Sequence, residues 1–255
     1  LSTGLVAALL VNLLALPWLT SRRFQPTVHV HSKTLYHHRM FECLISIASW
    51  FPRRMLNRLA YLCGYLYGLT HPGRTDIVRR NLGLIHPELA RYRNGCRTYG
   101  NFASGLSDYF HIASSSDNEI ATWIRARKGK EHLQAAHEAG QGAIILSMHH
   151  GFFEFGGWLM NELGIPFVIA TNPEPSDSLT QWRAEYRKRW KADTIILTHD
   201  GFSHIQLAEP LRQGKMVALL FDRPHPVHPV PVSMPGGTAY FAGTFLHVAL
   251  SLNCP

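Results

Sequence analysis

Short apolar runs separated by helical stretches in the second half of the chain predict an α/β fold. The expected architecture is a mostly parallel or mixed central sheet flanked by helices. The runs are AIILSM (143–148), PFVIA (166–170), TIIL (194–197) and MVALLF (216–221). All are rich in strand formers and show no polar alternation, as expected of short strands buried on both faces of a parallel sheet. Helical patterns at 152–163, 176–191 and 201–213 lie between them. Gly142, Gly164 and Gly214 stand where helices give way to strands. The first half lacks this alternation. Residues 74–126 read as helices, with Pro87 and Glu88 at the start of a long one and Ser115-Ser116-Asp117 as a break between two.

Upstream, Leu5 to Leu19 reads LVAALLVNLLALPWL, about 15 mostly apolar positions against the roughly 20 that a spanning helix needs. No small-residue cleavage site follows, as a secretory signal would require. Instead come Arg22, Arg23, Lys33 and Arg39. Basic residues on that flank favour its cytoplasmic retention. The expectation is a membrane anchor, spanning or half-embedded, with the body in the cytoplasm. A buried core helix is the competing reading. A second apolar region, MFECLISIASWFPRRMLNRLAYLCGYLYGL (40–69), is split into two helices by Pro52. In the second helix Met55, Leu59, Leu62 and Leu66 recur at helical spacing, and Arg53, Arg54 and Arg58 crowd its start. That pattern suits a membrane surface or a helix packed on a core. The expected organisation is therefore a membrane anchor helix at 1–24, a helical membrane-facing region at 25–128 and an α/β core at 129–255. The chain begins at Leu1 and ends at SLNCP, which reads like a turn entering another strand. Truncation at both ends is expected.

The 255 residues suffice for one large domain or two small ones, and 46% hydrophobic content argues against disorder. The net charge of +8 suits an acidic partner: nucleic acid, anionic lipid headgroups, or a phosphorylated or acidic substrate. Cys43, Cys63, Cys96 and Cys254 form no C-x-x-C pair and no zinc-finger spacing, so they read as reduced thiols.

The stretch MHHGFFEFGG (148–157) carries the chemistry. Functional residues of open α/β sheets gather at the carboxyl ends of strands. His149 and His150 lie just past the end of the first expected strand. His149 and Glu154 form an H-x4-E pattern, with Glu154 in the first turn of the next helix, where the carboxylate can fold back onto the imidazole. A carboxylate on one ring nitrogen fixes the tautomer and makes the other nitrogen a better base. His150 is the rival, since it lies four residues before Glu154 and could share a helical face with it.

HHGFFE resembles the H-x4-D/E motif of the lipid A late acyltransferase family, usually H-F-G-N-W-E, within the lysophospholipid acyltransferase superfamily. His149 falls on that family's catalytic His, Gly151 on its Gly and Glu154 on its acidic partner. Phe152 replaces its Asn. Other stretches are similar in order and spacing: VRRNLGLIHPEL (78–89), GKEHLQAAHEAGQGAIILSMHH (129–150), GKMVALLFDRP (214–224) with Asp222 on an acidic position, and GGTAYFAGTFLHVALSLNCP (236–255) with Gly243 on a Gly. The resemblance covers about residues 40–255, and the family continues for several tens of residues beyond.

The resemblance implies a glycerolphosphate-acyltransferase-like fold at the bacterial inner membrane, with the catalytic body facing the cytoplasm. It implies transfer of a fatty acyl chain from acyl carrier protein or coenzyme A to a hydroxyl of a lipid or glycolipid such as a lipid A precursor, with no cofactor. A thioester is already activated, so the site needs a general base and donors for the oxyanion. His149 and Glu154 would form the base. Backbone N–H groups or Arg187 could supply the donors. Arg183, Arg187, Lys188, Arg189 and Lys191 cluster after NPEPSDSL. Arg187 or Arg189 best matches a basic residue of the family, for a phosphate or an acidic carrier protein, unless the cluster is only a solvated helix face. Asp222 would orient an acceptor or an arginine, or else pair with an arginine or cap a turn.

The alternative is a metal-dependent hydrolase using His149, His150, His199, Asp200, His204, Asp222, His225 and His228, all near expected strand ends. A metal would need three or four of them to converge, and none shows a recognisable ligand spacing. A nucleic-acid module is disfavoured because the charge is spread along helices without an aromatic binding motif. A serine hydrolase is disfavoured because no G-x-S-x-G occurs.

Overall fold

The computed structural model describes residues 37–197, 203–222 and 229–255. The anchor expected at 1–24 lies outside these residues, as do His199, Asp200, His225 and His228. The described chain divides into two compact units, residues 37–123 with 231–239, and residues 124–230 with 240–255.

The first unit is helical: α1 (His38–Ser49), α2 (Arg53–Thr70), α3 (Pro72–Ile85), a 3₁₀ turn (Pro87–Leu89), α4 (Tyr92–Ser114) and α5 (Asp117–Thr122). Pro52 separates α1 from α2 as its missing N–H dictates. Pro87 opens only the 3₁₀ turn, and the long helix starts at Tyr92. Ser116 ends the run by capping α5, accepting from the Glu119 N–H at 3.3 Å. The main packing is α2 against α4, and small residues make it possible. A Cβ at Gly64 would lie 2.4 Å from the Tyr99 carbonyl oxygen, and one at Gly68 would lie 2.8 Å from the Cys96 Cα. The two backbones therefore touch, as in small-x-x-x-small helix pairs. Met55, Leu59, Leu62 and Leu66 are exposed, so this stripe does not pack on a core of described residues. Among the described residues no helix is long and apolar enough to cross a membrane.

The second unit holds α6 (Lys130–Glu138), β1 (Ala143–Ser147), α7 (Phe155–Glu162), β2 (Phe167–Thr171), α8 (Asp177–Arg187) with a 3₁₀ turn (Lys188–Trp190), β3 (Ala192–Ile196), α9 (Ser203–Arg212), β4 (Met216–Leu220) and α10 (Thr244–Leu252). The four strands form one parallel sheet in the order β1-β4-β2-β3. Successive residues point to opposite faces, and both faces are covered. Val168, Ala170 and Val217 pack with Leu207, Leu211 and Val248 of α9 and α10. Ala143, Phe167, Ala192 and Met216 pack on the other face with Met160, Ile165 and Leu133. Complete burial of a side chain such as Val217 contributes roughly 1.5–3 kcal/mol. Two-sided burial is why the strands read as continuous apolar runs.

The hairpin β5 (Pro229–Met234) and β6 (Gly237–Ala242) has no counterpart in the sequence reading. Proline is tolerated only at sheet edges, and a two-stranded ribbon is all edge. After α10 the chain turns at Asn253, and the Ile144 N–H donates to the Pro255 carbonyl at 2.8 Å, beside β1.

Candidate active site

Strand register assembles the first half of the site. β1 and β4 pair so that Ser147 stands opposite Leu220. Two residues further on, past both carboxyl ends, the same register sets His149 opposite Asp222. Adjacent strands lie about 4.8 Å apart, close enough for facing side chains to reach one another. The Asp222 carboxylate accepts from the His149 ring at Nδ1 (2.8 Å) and from the His149 backbone N–H (3.2 Å). Burial on its own would push the Asp222 carboxyl up, but the hydrogen bonds from His149, with the attraction of its ring when protonated, outweigh it and hold the group below the usual carboxylate range. With Nδ1 engaged by a carboxylate, the imidazole is locked in the tautomer that leaves Nε2 as acceptor. Phe153 closes one side of the ring, edge to face at 5.0 Å. Gly151, at φ +58°, turns the chain between His149 and α7. His150 is exposed.

Glu154 does not sit on the imidazole. It occupies the N-cap position of α7, buried, and its carboxylate lies between two guanidiniums of α8. Arg187 donates to Glu154 Oε1 at 2.7 Å, and Arg183 donates to the same oxygen. Arg183 also donates to Glu174. Among the described residues no hydrogen bond joins Glu154 to His149, so the expected His149–Glu154 pairing is replaced by His149–Asp222. The physical reason is that a buried carboxylate needs a full positive charge to remain ionised. Arg183 and Arg187, four apart on α8, supply two. Burial would raise the Glu154 carboxyl, yet the paired arginines bring it from 4.5 down to about 2.

The other expected site residues separate. Arg187 is 4% exposed and committed to Glu154. Arg189 lies outside, its guanidinium 5.5 Å from the Tyr186 ring and 5.7 Å from the Trp190 ring. The sequence reading placed Arg183 only in a basic cluster and passed over Glu174. Their signal was the i, i+4 spacing of Arg183 and Arg187 on one helix face, opposite a carboxylate that had to be buried. Among the described residues no three His, Cys, Asp or Glu side chains converge to hold a metal ion, and His204 is exposed.

Residues 28–232 match a family described as bacterial lipid A biosynthesis acyltransferase. The chain is also similar to the phosphatidylinositol mannoside acyltransferase of two Mycobacterium tuberculosis strains, CDC 1551 / Oshkosh and ATCC 25618 / H37Rv. Each is 26% identical over 186 residues, covering 69% of this chain and 58% of the relative. The chain thus corresponds to a little under three fifths of the length of these relatives.

Proposed function

The chain belongs to the bacterial lipid A biosynthesis acyltransferase family, and from that premise we propose that it moves a fatty acyl chain from a thioester to a hydroxyl of a membrane lipid. The donor is acyl carrier protein or coenzyme A. The acceptor is a lipid or glycolipid such as a lipid A precursor, and the mycobacterial relatives' name adds a mannosylated phosphatidylinositol to the acceptors worth testing. The body works at the cytoplasmic face of the inner membrane, a placement supported by Arg22 and Arg23 after the apolar run 5–19.

The observation that carries the chemistry is His149 held at Nδ1 by Asp222, at the carboxyl ends of adjacent strands. Nε2 takes the proton of the acceptor hydroxyl as its oxygen attacks the thioester carbonyl. The tetrahedral intermediate collapses with cleavage of the carbon–sulfur bond, and the imidazolium returns the proton to the departing thiolate. Asp222 keeps the tautomer and steadies the imidazolium. Glu154 acts at one remove, as the buried anion that fixes Arg183 and Arg187 on α8 beside the turn leading from His149. Gly151 shapes that turn, and Arg189, exposed on the same segment, is a contact for phosphate or an acidic carrier.

The test is acyl transfer in detergent by the full chain, given labelled acyl–carrier protein or acyl-CoA with a lipid A precursor, a phosphatidylinositol mannoside or a bacterial lipid extract. A labelled lipid made by wild type and lost in His149→Ala supports the reading. Absence of product from both donors with folded wild type, or full activity in His149→Ala, overturns it.

A further inference from the structure

Helix α2 is inverted relative to a helix adapted to water. Its inward face carries Gly64 and Gly68, closing on α4. Its outward face carries Met55, Leu59, Leu62, Leu66 and Leu69, each between 46% and 55% exposed. The alternating spacing of four and three sets these five side chains in one line, about 21 Å long. Trp50, 81% exposed, and Phe51 extend the apolar surface into the turn before the helix. In a soluble helix the apolar stripe faces the core and the polar face looks out. Here the glycines let the backbones meet, Tyr67 fills the contact against Tyr99, and five large aliphatic side chains are left outside. An exposed apolar patch of this kind marks an interaction surface.

Charge selects the occupant. Arg54 and Arg58 are exposed on the same helix, and α2 contains no acidic residue. Arg53 is turned inward to Asp108 at 2.6 Å. Residues 1–75 hold eight Lys and Arg residues against a single acid, Glu42, so seven of the eight net positive charges fall in this part of the chain. A second copy laid on the stripe would bring arginines against arginines. Residues 1–36 contain no Asp or Glu and offer no counter-charge either. A bilayer bearing anionic phospholipid answers both features, because its acyl region takes the leucines and its phosphates take the arginines.

We propose that the outward face of α2, with Trp50 and Phe51 at its leading end, is a docking surface for an anionic phospholipid bilayer. The helix lies in the plane of the interface, its leucines below the headgroups and Arg54 and Arg58 reaching up to the phosphates. The proposal deepens the membrane placement given above but does not depend on acyl transfer.

The experiment is vesicle flotation of the full chain, with phosphatidylcholine vesicles and with vesicles that also contain phosphatidylglycerol. No acyl donor is present, so failure here leaves the chemistry untouched, and His149→Ala must bind as wild type does. Leu59→Glu/Leu66→Glu lowers partitioning at least about tenfold. Arg54→Glu/Arg58→Glu removes the preference for phosphatidylglycerol, again by about tenfold or more. A local readout separates this surface from the apolar run at 5–19. In a Cys43→Ser/Cys63→Ser background, an environment-sensitive fluorophore on Leu62→Cys becomes quenched by lipids brominated in their acyl chains. The other thiols, Cys96 and Cys254, are buried. Circular dichroism verifies that each variant folds. Three results overturn the proposal. One is a label that brominated lipid leaves unquenched, already shielded before vesicles are added. Another is partitioning unchanged in both double variants. The third is a wild type that is dimeric in light scattering and becomes monomeric in the leucine variant.

Discussion

Replacing Glu154 with glutamine keeps the side chain's size but removes the negative charge between Arg183 and Arg187. In the folded protein these arginines bring the Glu154 carboxyl from 4.5 to about 2, against the opposing effect of burial. A difference of this size corresponds to about 3 kcal/mol of stability at neutral pH. Breaking one side of a buried ion pair costs about 3–5 kcal/mol, which agrees. Because the folded value lies below the unfolded one, the stabilisation is fully present above about pH 4.5 and is lost as pH falls from there towards 2. Arg183 retains Glu174 in the variant, whereas Arg187 loses its carboxylate. Domains have total stabilities of about 5–15 kcal/mol, so Glu154→Gln folds at neutral pH but is weakened, with a Tm lower by roughly 6–12 °C. The assay is urea unfolding followed by intrinsic fluorescence at a series of pH values. Wild type should lose stability more steeply on acidification through this window than the variant, which keeps only the contribution of other carboxylates such as Asp222. A variant within about 1 kcal/mol of wild type at neutral pH, or one that falls in parallel with it, would falsify the argument that Glu154 is the charge holding α8 in place.

His149→Ala lowers acyl transfer by at least about 10²-fold while His150→Ala stays active, as measured by labelled lipid product; the reverse result would move the base by one residue. Asp222→Asn leaves the fold intact but lowers the maximal rate by about 10²-fold or more, because an amide can hold the wrong tautomer; a change in KM alone would assign Asp222 to substrate binding. Gly142→Ala forces a Cβ to within 2.4 Å of the Leu211 carbonyl oxygen at a φ of +72°, so thermal unfolding should show a loss of at least about 2 kcal/mol without a specific effect on KM.

The four sheet strands were legible because their signal is local. A short apolar run between helical stretches has few other uses, and expected and observed spans agree to within two residues. Pro52 and Ser116 were legible for the same reason, since a missing N–H or a capping hydroxyl acts on its own neighbours. The hairpin at 229–242 was hidden by its prolines, and the outward face of α2 by the ambiguity of any apolar stripe.

The sequence by itself determined where the four strands of the parallel sheet form, that His149 follows a strand end, and that a carboxylate should orient it. Only the tertiary structure decided which carboxylate. Glu154, five residues away, is the nearest in sequence, and Asp222 is seventy-three residues away. The strand order β1-β4-β2-β3 makes β4 the direct neighbour of β1, and parallel register then sets Asp222 level with the imidazole. Glu154, carried into the interior at the start of α7, is claimed by the arginines of α8 instead. Sequence distance governs local conformation, but a hydrogen bond forms between groups that packing brings within about 3 Å, and that choice belongs to the sheet.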